Sequence, residues 1–284
     1  MFNFLIKKQI NEALFNYKKI VVWGLGGLGK SAIANWLPMD KIEYIVDNNI
    51  KNKGKKFYNI DCYPPNKIRN KKPELIVVCS SAYLEIFEYL KINSVNCKYF
   101  YIYELFLINI DRQNQLYNLY IDIVATKNCN IFKLLIVKPQ VIVNITYRLS
   151  KILKKYKILF IFYWILAFIH YIVCMLLSIQ LPLEVDAGPG LIFAHPGSIV
   201  FSKKVKMGAF VSIYHCCTLG TTLSGDSPTI KDFVTIYTGS HVLGNSILDS
   251  HSRIGAMSLL LNFKGKKYST VAGIPAKLKR KFLI

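Results

Sequence analysis

The chain has 284 residues, 52% of them apolar, and its mean hydropathy is +0.30. Lys and Arg number 37 against 16 Asp and Glu, and the net charge of +21 favours anionic partners such as nucleic acid, a phospholipid surface or a phosphate-rich cofactor. The seven cysteines have no CxxC spacing, which argues against a zinc site and for a reducing compartment, and the mixed-polar N-terminus argues against export by a signal peptide.

Strand and helix patterns alternate along the first hundred residues. Tyr83–Lys91 is an example of the helical stretches. Short apolar runs predict strands at Ile20–Trp23, Tyr44–Asp47, Leu75–Ser80 and Tyr99–Tyr103. This alternation is typical of a small parallel α/β sheet, which we assign to residues 1–108.

A glycine motif follows the first of these strands. Gly24-x-Gly26-x-x-Gly29 comes directly after the strand, and Asp47 ends the next strand. This order matches the dinucleotide-binding fingerprint, in which a tight turn and a helix N-terminus approach a phosphate. The same letters satisfy the P-loop pattern, but the later strand Leu75–Ser80 offers no acid for magnesium. We therefore predict a Rossmann-like domain that either binds a nucleotide through these four residues or serves assembly alone.

Residues 109–180 predict a helical linker. The basic segment KILKKYK precedes an apolar stretch from Ile158 to Leu181. The stretch is long enough to span a bilayer once, but a single span would place the two flanking domains on opposite sides of the membrane. We therefore expect a re-entrant hairpin or an interfacial helix pair at the membrane surface, with a wholly buried helix pair as the alternative.

An aliphatic residue recurs at every sixth position in residues 181–284. The uninterrupted set is Ile230, Ile236, Val242, Leu248, Ile254 and Leu260. Serines lie in phase at positions 240, 246, 252 and 258, and Met207, Ile213 and Leu219 keep the period upstream. Three six-residue sides close a triangular coil, and stacked coils pair as parallel strands. A β-sandwich, the alternative, would show irregular hairpin spacing. Residues 221–229 break the phase and predict a loop.

Several strings in this region resemble a known family. GPGLIFAHPGSIV, VKMGAFVSIYHCCTLGTT and VAGIPAKLKRK, with the hexads between them, are similar to the serine acetyltransferase branch of the hexapeptide-repeat acyltransferases, most of all to members found among surface-polysaccharide genes. The resemblance covers about residues 181–281, and YRLSKILKK resembles the helical lead-in of those members. It implies a left-handed parallel β-helix, a homotrimer and acetyl-CoA as the acyl donor.

The resemblance places the general base at His195, within AHPGSIV. Acetyl transfer to a hydroxyl requires a base for the hydroxyl proton, and an imidazole suits that task near neutral pH. A turn histidine that only caps backbone groups is the alternative for His195. We predict that His215 is a surface or packing residue, that His241 and His251 face outward, and that His170 is a buried histidine with satisfied hydrogen bonds.

Two departures from the family bear on the acceptor. Gln180 stands where serine acetyltransferases carry an acidic partner for the base, which leaves Glu184 and Asp186 as nearby candidates. The loop after TLG lacks their second histidine, and Asp226 in that loop is our candidate for substrate binding. These differences favour an acceptor larger than serine, such as a sugar hydroxyl.

The resemblance also suggests where ligands bind. The cofactor would lie between adjacent subunits along Gly239, Ser240 and Ala256, with Gly273 and Lys277 near its nucleotide end. Seven basic residues between Lys264 and Lys281 suit its phosphates, although a solvated basic tail is the alternative. In sugar acetyltransferases a similar Rossmann-like module can hold a nucleotide-sugar, so we expect a nucleotide or nucleotide-sugar in the N-terminal domain.

These observations predict an acetyl-CoA-dependent O-acetyltransferase that acts on a sugar in surface polysaccharide biosynthesis. We expect it in the cytoplasm, at the inner face of the membrane, without a metal or a nucleic-acid partner. Serine O-acetylation for cysteine biosynthesis is the alternative activity, and a non-catalytic hexapeptide scaffold is the alternative outside enzymes.

Overall fold

The computed structural model describes residues 2–69, 73–108, 110–126 and 135–284. The chain folds as two compact units, one formed by the residues up to Ile110 together with Phe282–Ile284 and the other by Asp111–Lys281. The helices that the sequence assigned to a linker thus belong to the same unit as the C-terminal coils, and the three-part division stays a prediction. Position 109, where we placed the start of the linker, and Cys129 lie outside the described residues.

The helices are listed here in chain order. They are α1 (Phe2–Ala13), α2 (Gly27–Asn35), α3 (Tyr83–Ile92), α4 (Ile102–Leu105), α5 (Gln115–Ala125), α6 (Val141–Lys154) and α7 (Phe160–Leu176).

The first unit contains a mostly parallel sheet. Its strands are β1 (Ile20–Trp23), β2 (Ile42–Val46), β3 (Lys56–Phe57), β4 (Ile60–Tyr63), β5 (Leu75–Val78) and β6 (Lys98–Tyr101). They are ordered β3-β4-β2-β1-β5-β6, and β3 is antiparallel to β4. β1 and β5 are buried throughout, as expected for apolar runs in the middle of a parallel sheet. The predicted parallel sheet is confirmed, whereas the β3–β4 hairpin was not predicted because its strands are too short to show alternation.

The second unit is a stack of three-sided coils. Its strands are β7 (Ile179–Gln180), β8 (Asp186–Ala187), β9 (Ile192–Phe193), β10 (Ile199–Phe201), β11 (Lys206–Met207), β12 (Ser212–Ile213), β13 (Thr218–Gly220), β14 (Thr229–Ile230), β15 (Thr235–Ile236), β16 (His241–Leu243), β17 (Ile247–Leu248), β18 (Arg253–Ile254), β19 (Leu259–Leu261), β20 (Ser269–Ala272) and β21 (Lys277–Lys281). Every third strand joins the same sheet as far as β19, after which β20 pairs with β18 and β21 pairs with β20. The strand pairs in the three sheets are parallel, as for β10 with β13, except β20 with β21. The arrangement is consistent with the left-handed β-helix of hexapeptide acyltransferases.

The predicted period describes the interior of these coils. All six aliphatic residues of the uninterrupted set are at most 1% exposed. The four in-phase serines are equally buried, and each hydroxyl donates to a backbone carbonyl at a coil corner, as Ser240 does to Gly255 at 2.8 Å. A small side chain that satisfies its own hydroxyl fits a crowded corner without an unpaired buried polar atom. Residues 221–228 of the loop expected at 221–229 lie between β13 and β14, and Thr229 begins β14.

One predicted outward residue is instead buried. His251 is 4% exposed and stacks between Phe233 and Tyr268, with ring centroids 4.7 and 4.8 Å away, and Phe210 continues the column. All four residues adopt positive φ angles at the same corner of successive coils. Their side chains therefore stack on one another along the coil axis. Successive side chains on a strand would instead point alternately into and out of the coil. Burial, followed by the charge of Lys267, lowers the pKa of His251 to about 4. The prediction of an outward His251 was wrong, while His241 is exposed as expected.

A buried ion pair fastens α5 and α6 to the first coil. The Arg148 guanidinium and the Asp122 carboxylate are both 0% exposed, and Nε lies 2.9 Å from Oδ2. Asp122 also accepts hydrogen bonds from the backbone N–H groups of Gly190 and Leu191, and Arg148 donates to the carbonyls of Ala187 and Gly188. This network satisfies both charges inside the unit.

α7 packs one side against α6 and exposes the rest. His170 is buried, with Nδ1 2.8 Å from the Thr146 hydroxyl and Nε2 2.8 Å from the Leu181 carbonyl, so the prediction of a satisfied buried histidine is confirmed. The helix has 17 residues. Within the described ranges, no helix combines the length and hydropathy needed to cross a membrane.

Candidate active site

One corner of the coils carries the predicted catalytic and cofactor residues. The parallel register aligns Ile192, Ser212, Thr235, Arg253 and Thr270 in successive coils. Three residues further along each coil, the corner positions are therefore His195, His215, Thr238, Ala256 and Gly273. Gly239 and Ser240 come next in the third coil of this column. The fold thus brings His195 to the same corner as four of the five predicted cofactor residues.

His195 lies at the first of these corners with its side chain exposed. The Pro196-Gly197 turn follows it, and Gly197 has a φ of +116° with its N–H donating to the Leu177 carbonyl at 3.1 Å. The strand that precedes it is held from the helical side, because the Gln140 amide donates to the carbonyls of Phe193 and Ala194. The predicted corner placement is confirmed, and the backbone around the imidazole is fixed on both sides.

A second imidazole lies beside the first. The His195 and His215 ring centroids are 5.9 Å apart in an edge-to-face arrangement, and the Tyr214 ring is 6.1 Å from His195. The His215 carbonyl accepts from the Gly239 N–H and the Thr238 hydroxyl, both at 3.1 Å. His215 Nδ1 is buried and has no hydrogen-bond partner among the described residues. The sequence favoured a surface or packing role for His215 over a direct one, since nothing in the six-residue period shows that His215 neighbours His195 of the preceding coil.

The hydroxyl of Tyr214 stays protonated at this corner. Burial, followed by the nearby Tyr237, raises the pKa of Tyr214, whose ring centroid is 5.1 Å from that of Tyr237. A neutral phenol can donate a hydrogen bond, so this side chain can offer a donor next to the imidazole pair.

Among the residues that the structure describes, no acid accompanies His195. In the described part of the chain, no hydrogen bond joins the His195 ring to a carboxylate. Gln180, at the end of β7, is exposed and pairs with Val200 through the backbone. Glu184 lies 3.7 Å from Lys203 in an exposed ion pair, and Asp186 is exposed on β8. Neither of the two acids that the sequence suggested forms a hydrogen bond or an ion pair with the imidazole.

The predicted cofactor residues lie at the same corner, in the coils that follow those of His195 and His215. Gly239 and Gly273 have φ angles of +69° and +104°, and a Cβ on Gly239 would run into the Met257 side chain, so this turn needs glycine. The Ser240 hydroxyl is committed to the Gly255 carbonyl, which leaves only its backbone for a ligand. Lys277 begins β21, whose residues Lys277–Lys281 are all exposed. The basic strand therefore follows directly after the end of the corner column.

Asp226 belongs to a different corner. It lies in the loop between β13 and β14, where its carboxylate accepts from the Ser224 hydroxyl at 2.8 Å. His195 precedes β10, and Asp226 follows β13, which pairs with β10 from the next coil. The two residues therefore lie at opposite ends of the same side of the stacked coils. A six-residue extended side spans about 20 Å, so a small acceptor cannot touch both residues of one chain.

The glycine motif of the first unit surrounds an open turn. Gly24 has a φ of +109° and a Cβ there would press on the Cys79 carbonyl, while a Cβ on Gly29 would overlap the Gly24 carbonyl. Gly26 faces open space at the start of α2. Asp47 follows β2, and its carboxylate accepts from the N–H groups of Leu25, at 2.5 Å, and Asn49. The Asp47 carboxylate therefore stabilises the turn through these hydrogen bonds. The three glycines and Asp47, which the sequence predicted as a nucleotide site, lie close together.

Comparisons with known proteins point to one group. The serine acetyltransferase of Buchnera aphidicola subsp. Schizaphis graminum is 32% identical over 123 residues, which are 42% of this chain and 47% of that protein. The serine acetyltransferase of Haemophilus influenzae is 37% identical over 94 residues, 32% of this chain and 35% of that protein. This chain thus spans less than half the length of these curated relatives, and no protein-family model matches it.

Solved structures give the same picture for the fold. The crystal structure of serine acetyltransferase from Brucella abortus strain S19 aligns with a TM-score of 0.50 and 25% identity over 58% of this chain and 69% of that one. The enzyme from Neisseria gonorrhoeae aligns with a TM-score of 0.51 and 22% identity over 65% of this chain and 73% of that one. The chain is similar to serine acetyltransferases in sequence and in fold.

Proposed function

We propose that the chain is an acetyl-CoA-dependent O-acetyltransferase with His195 as its general base. One observation carries the proposal, namely that a single corner of the coils aligns an exposed imidazole with a column of small residues that ends at a basic strand. The similarity to serine acetyltransferases supports the same activity.

The chemistry follows from that alignment. His195 accepts the proton of the acceptor hydroxyl as its oxygen attacks the thioester carbonyl, and the resulting imidazolium returns the proton to the departing thiolate. Atoms and charge balance, because the products are an acetyl ester and a free thiol. Backbone N–H groups at the corner and the Tyr214 phenol are the donors that we assign to the developing oxyanion. Small residues at Gly239 and Ala256 leave room for the pantetheine arm, and the lysines of β21 suit the nucleotide phosphates.

Serine is the acceptor that we place first. The similar proteins are named for serine acetylation, and this name favours the alternative activity over the sugar hydroxyl that the sequence favoured. A sugar hydroxyl stays the second candidate, because Gln180 is not an acid and the loop of Asp226 lacks a histidine. Assays with serine and with nucleotide-sugars as separate acceptors distinguish the two.

The proposed assembly is a homotrimer with each site between two chains. His195 and Asp226 are one coil side apart in a single chain, and one small acceptor contacts both only if they come from adjacent chains. The resemblance to hexapeptide-repeat acyltransferases sets the number of chains at three, so light scattering should give about three times the chain mass of 32.5 kDa. Monomers with full activity would exclude this arrangement.

The test of the activity uses two histidine variants. His195→Ala should lower thiol release from acetyl-CoA by about 10²–10⁴-fold, the usual contribution of a general base. His241→Ala is the matched control, since His241 is an exposed histidine on β16 of the same coils. Equal activity of the two variants would refute the role of His195. A native protein that releases no thiol with either class of acceptor would support a non-catalytic scaffold instead.

The glycine turn of the first unit is a separate proposed site for a nucleotide or nucleotide-sugar. Open space at Gly26 and the start of α2 support it. If the unit serves assembly alone, calorimetry with nucleotides and nucleotide-sugars will give no heat of binding.

A further inference from the structure

The exposed face of α7 is a continuous apolar surface. Only His170 and Cys174 are buried among the helix residues. The exposed large side chains lie at positions 160–162, 164–165, 168–169, 171–172 and 175–176, and all are aliphatic or aromatic. At 3.6 residues per turn these positions cover an arc of about 200°. The face therefore takes up more than half of the helix circumference and carries no charge.

The size of this face is unusual for a protein surface. Large apolar side chains present about 150–250 Å² each when free, so a face of this many half-exposed side chains amounts to on the order of 1,000 Å². The largest apolar patch of an ordinary monomer is about 300–600 Å². A surface of this kind requires a partner that is apolar over the whole length of the helix.

The charges beside α7 indicate which partner. The segment from Lys151 to Lys157 contains four lysines, and the sequence has no Asp or Glu from there until Glu184. Lys154 and Lys155 are exposed where α6 ends. Cations beside an apolar face complement anionic phospholipid headgroups. A second copy of the chain would bring the same lysines together, and their repulsion disfavours a contact between two copies.

The dimensions of the helix indicate how it meets the lipid. Its 17 residues rise about 26 Å, less than the roughly 30 Å hydrocarbon core of a bilayer. Trp164 and Tyr171 are exposed on the face, and such side chains favour the boundary between hydrocarbon and headgroups. We propose that α7 lies in the plane of an anionic phospholipid membrane, with its apolar face in the acyl boundary and the lysines at the end of α6 among the headgroups. This proposal goes beyond the proposed function and does not rest on it.

Tryptophan fluorescence of the whole chain tests the proposal directly. The chain has three tryptophans, of which Trp23 and Trp36 are each 2% exposed and Trp164 is 57% exposed. Vesicles of phosphatidylcholine with about one third phosphatidylglycerol should shift the emission to shorter wavelength, through Trp164, and should carry the protein down in sedimentation. Vesicles of phosphatidylcholine alone should do both more weakly, and added salt should weaken binding to the anionic vesicles.

Two pairs of variants separate the apolar and the charged contributions. W164S with F168S should lower vesicle partitioning at least tenfold. F4S with F15S, which removes two exposed aromatic side chains from α1 and from the turn that follows it, should leave partitioning unchanged. K154Q with K155Q should lower partitioning about fivefold per lysine. K51Q with K53Q, which removes the same charge from an exposed segment of the first unit, should lower it less.

Three results would overturn the proposal. The first is no sedimentation with the anionic vesicles. The second is partitioning of the W164S with F168S protein equal to that of the native chain, which would leave a purely electrostatic attraction. The third is a pair of observations: the native chain already emits at short wavelength without lipid, and the W164S with F168S protein forms a smaller oligomer than the native chain in light scattering. That result would assign the face to contacts between copies of the chain.

Discussion

Replacing Asp122 with Asn should destabilise the second unit severely. Asn keeps the shape of Asp but removes the charge, so the guanidinium of Arg148, which is 0% exposed, loses its counter-ion. Removing one partner of a buried ion pair costs about 3–5 kcal/mol. For a unit of about 170 residues, each kcal/mol lowers the melting temperature by about 2–4 °C, so the expected decrease is about 10 °C.

The same change should reach the active-site corner. Asp122 accepts the N–H groups of Gly190 and Leu191, and these residues lead directly into β9 and His195. The activity of Asp122→Asn at a temperature well below its unfolding should therefore decrease together with the stability.

The control for this experiment is Glu184→Gln. Glu184 forms an exposed ion pair with Lys203 in the same unit, with 53% and 73% of the side chains accessible, and such pairs contribute little to stability. Thermal unfolding followed by circular dichroism should show a shift of a few degrees at most. If Asp122→Asn unfolds no earlier than Glu184→Gln, the assignment of a stabilising role to the buried pair is wrong.

Three further outcomes are expected. Burial is the main cause that lowers the pKa of His251 to about 4, below the 6.5 of the imidazole in the unfolded chain. Unfolding therefore takes up a proton at acidic pH, and the free energy of unfolding decreases as the pH falls from about 6.5 to 4. Measured by urea unfolding at pH 5, His251→Phe should retain about 2 kcal/mol of the free energy of unfolding that the native chain loses. An equal loss in both proteins would contradict this role of His251. Gly29→Ala should destabilise the first unit by about 1–3 kcal/mol, because the added Cβ overlaps the Gly24 carbonyl. Gly26→Ala should unfold like the native chain, since Gly26 faces open space, but should bind nucleotide more weakly in calorimetry. His215→Gln should lower kcat about tenfold to a hundredfold with little change in the KM for acetyl-CoA, because it removes the ring beside His195; an unchanged kcat with a normal pH profile would leave His215 a packing residue.

The sequence alone determined the repeating part of the fold. A period of six is a local property, because each side of a coil buries one aliphatic residue such as Ile236 or Val242 whatever lies in the next coil. The apolar runs of β1 and β5 are local in the same way, since a strand buried on both faces needs no alternation. The exposed corner position of His195 followed from the resemblance and from the turn-forming Pro196-Gly197.

Only the tertiary structure decided which residues meet across coils. His215 neighbours His195 because β12 pairs with β9 in one register, and a pairing between segments twenty residues apart leaves no mark in a six-residue period. His251 is buried because a corner with a positive φ angle stacks its ring on Phe233, and Asp122 is buried because Arg148 approaches it from another helix. Burial of a polar side chain depends on the groups that satisfy it, and these come from distant parts of the chain.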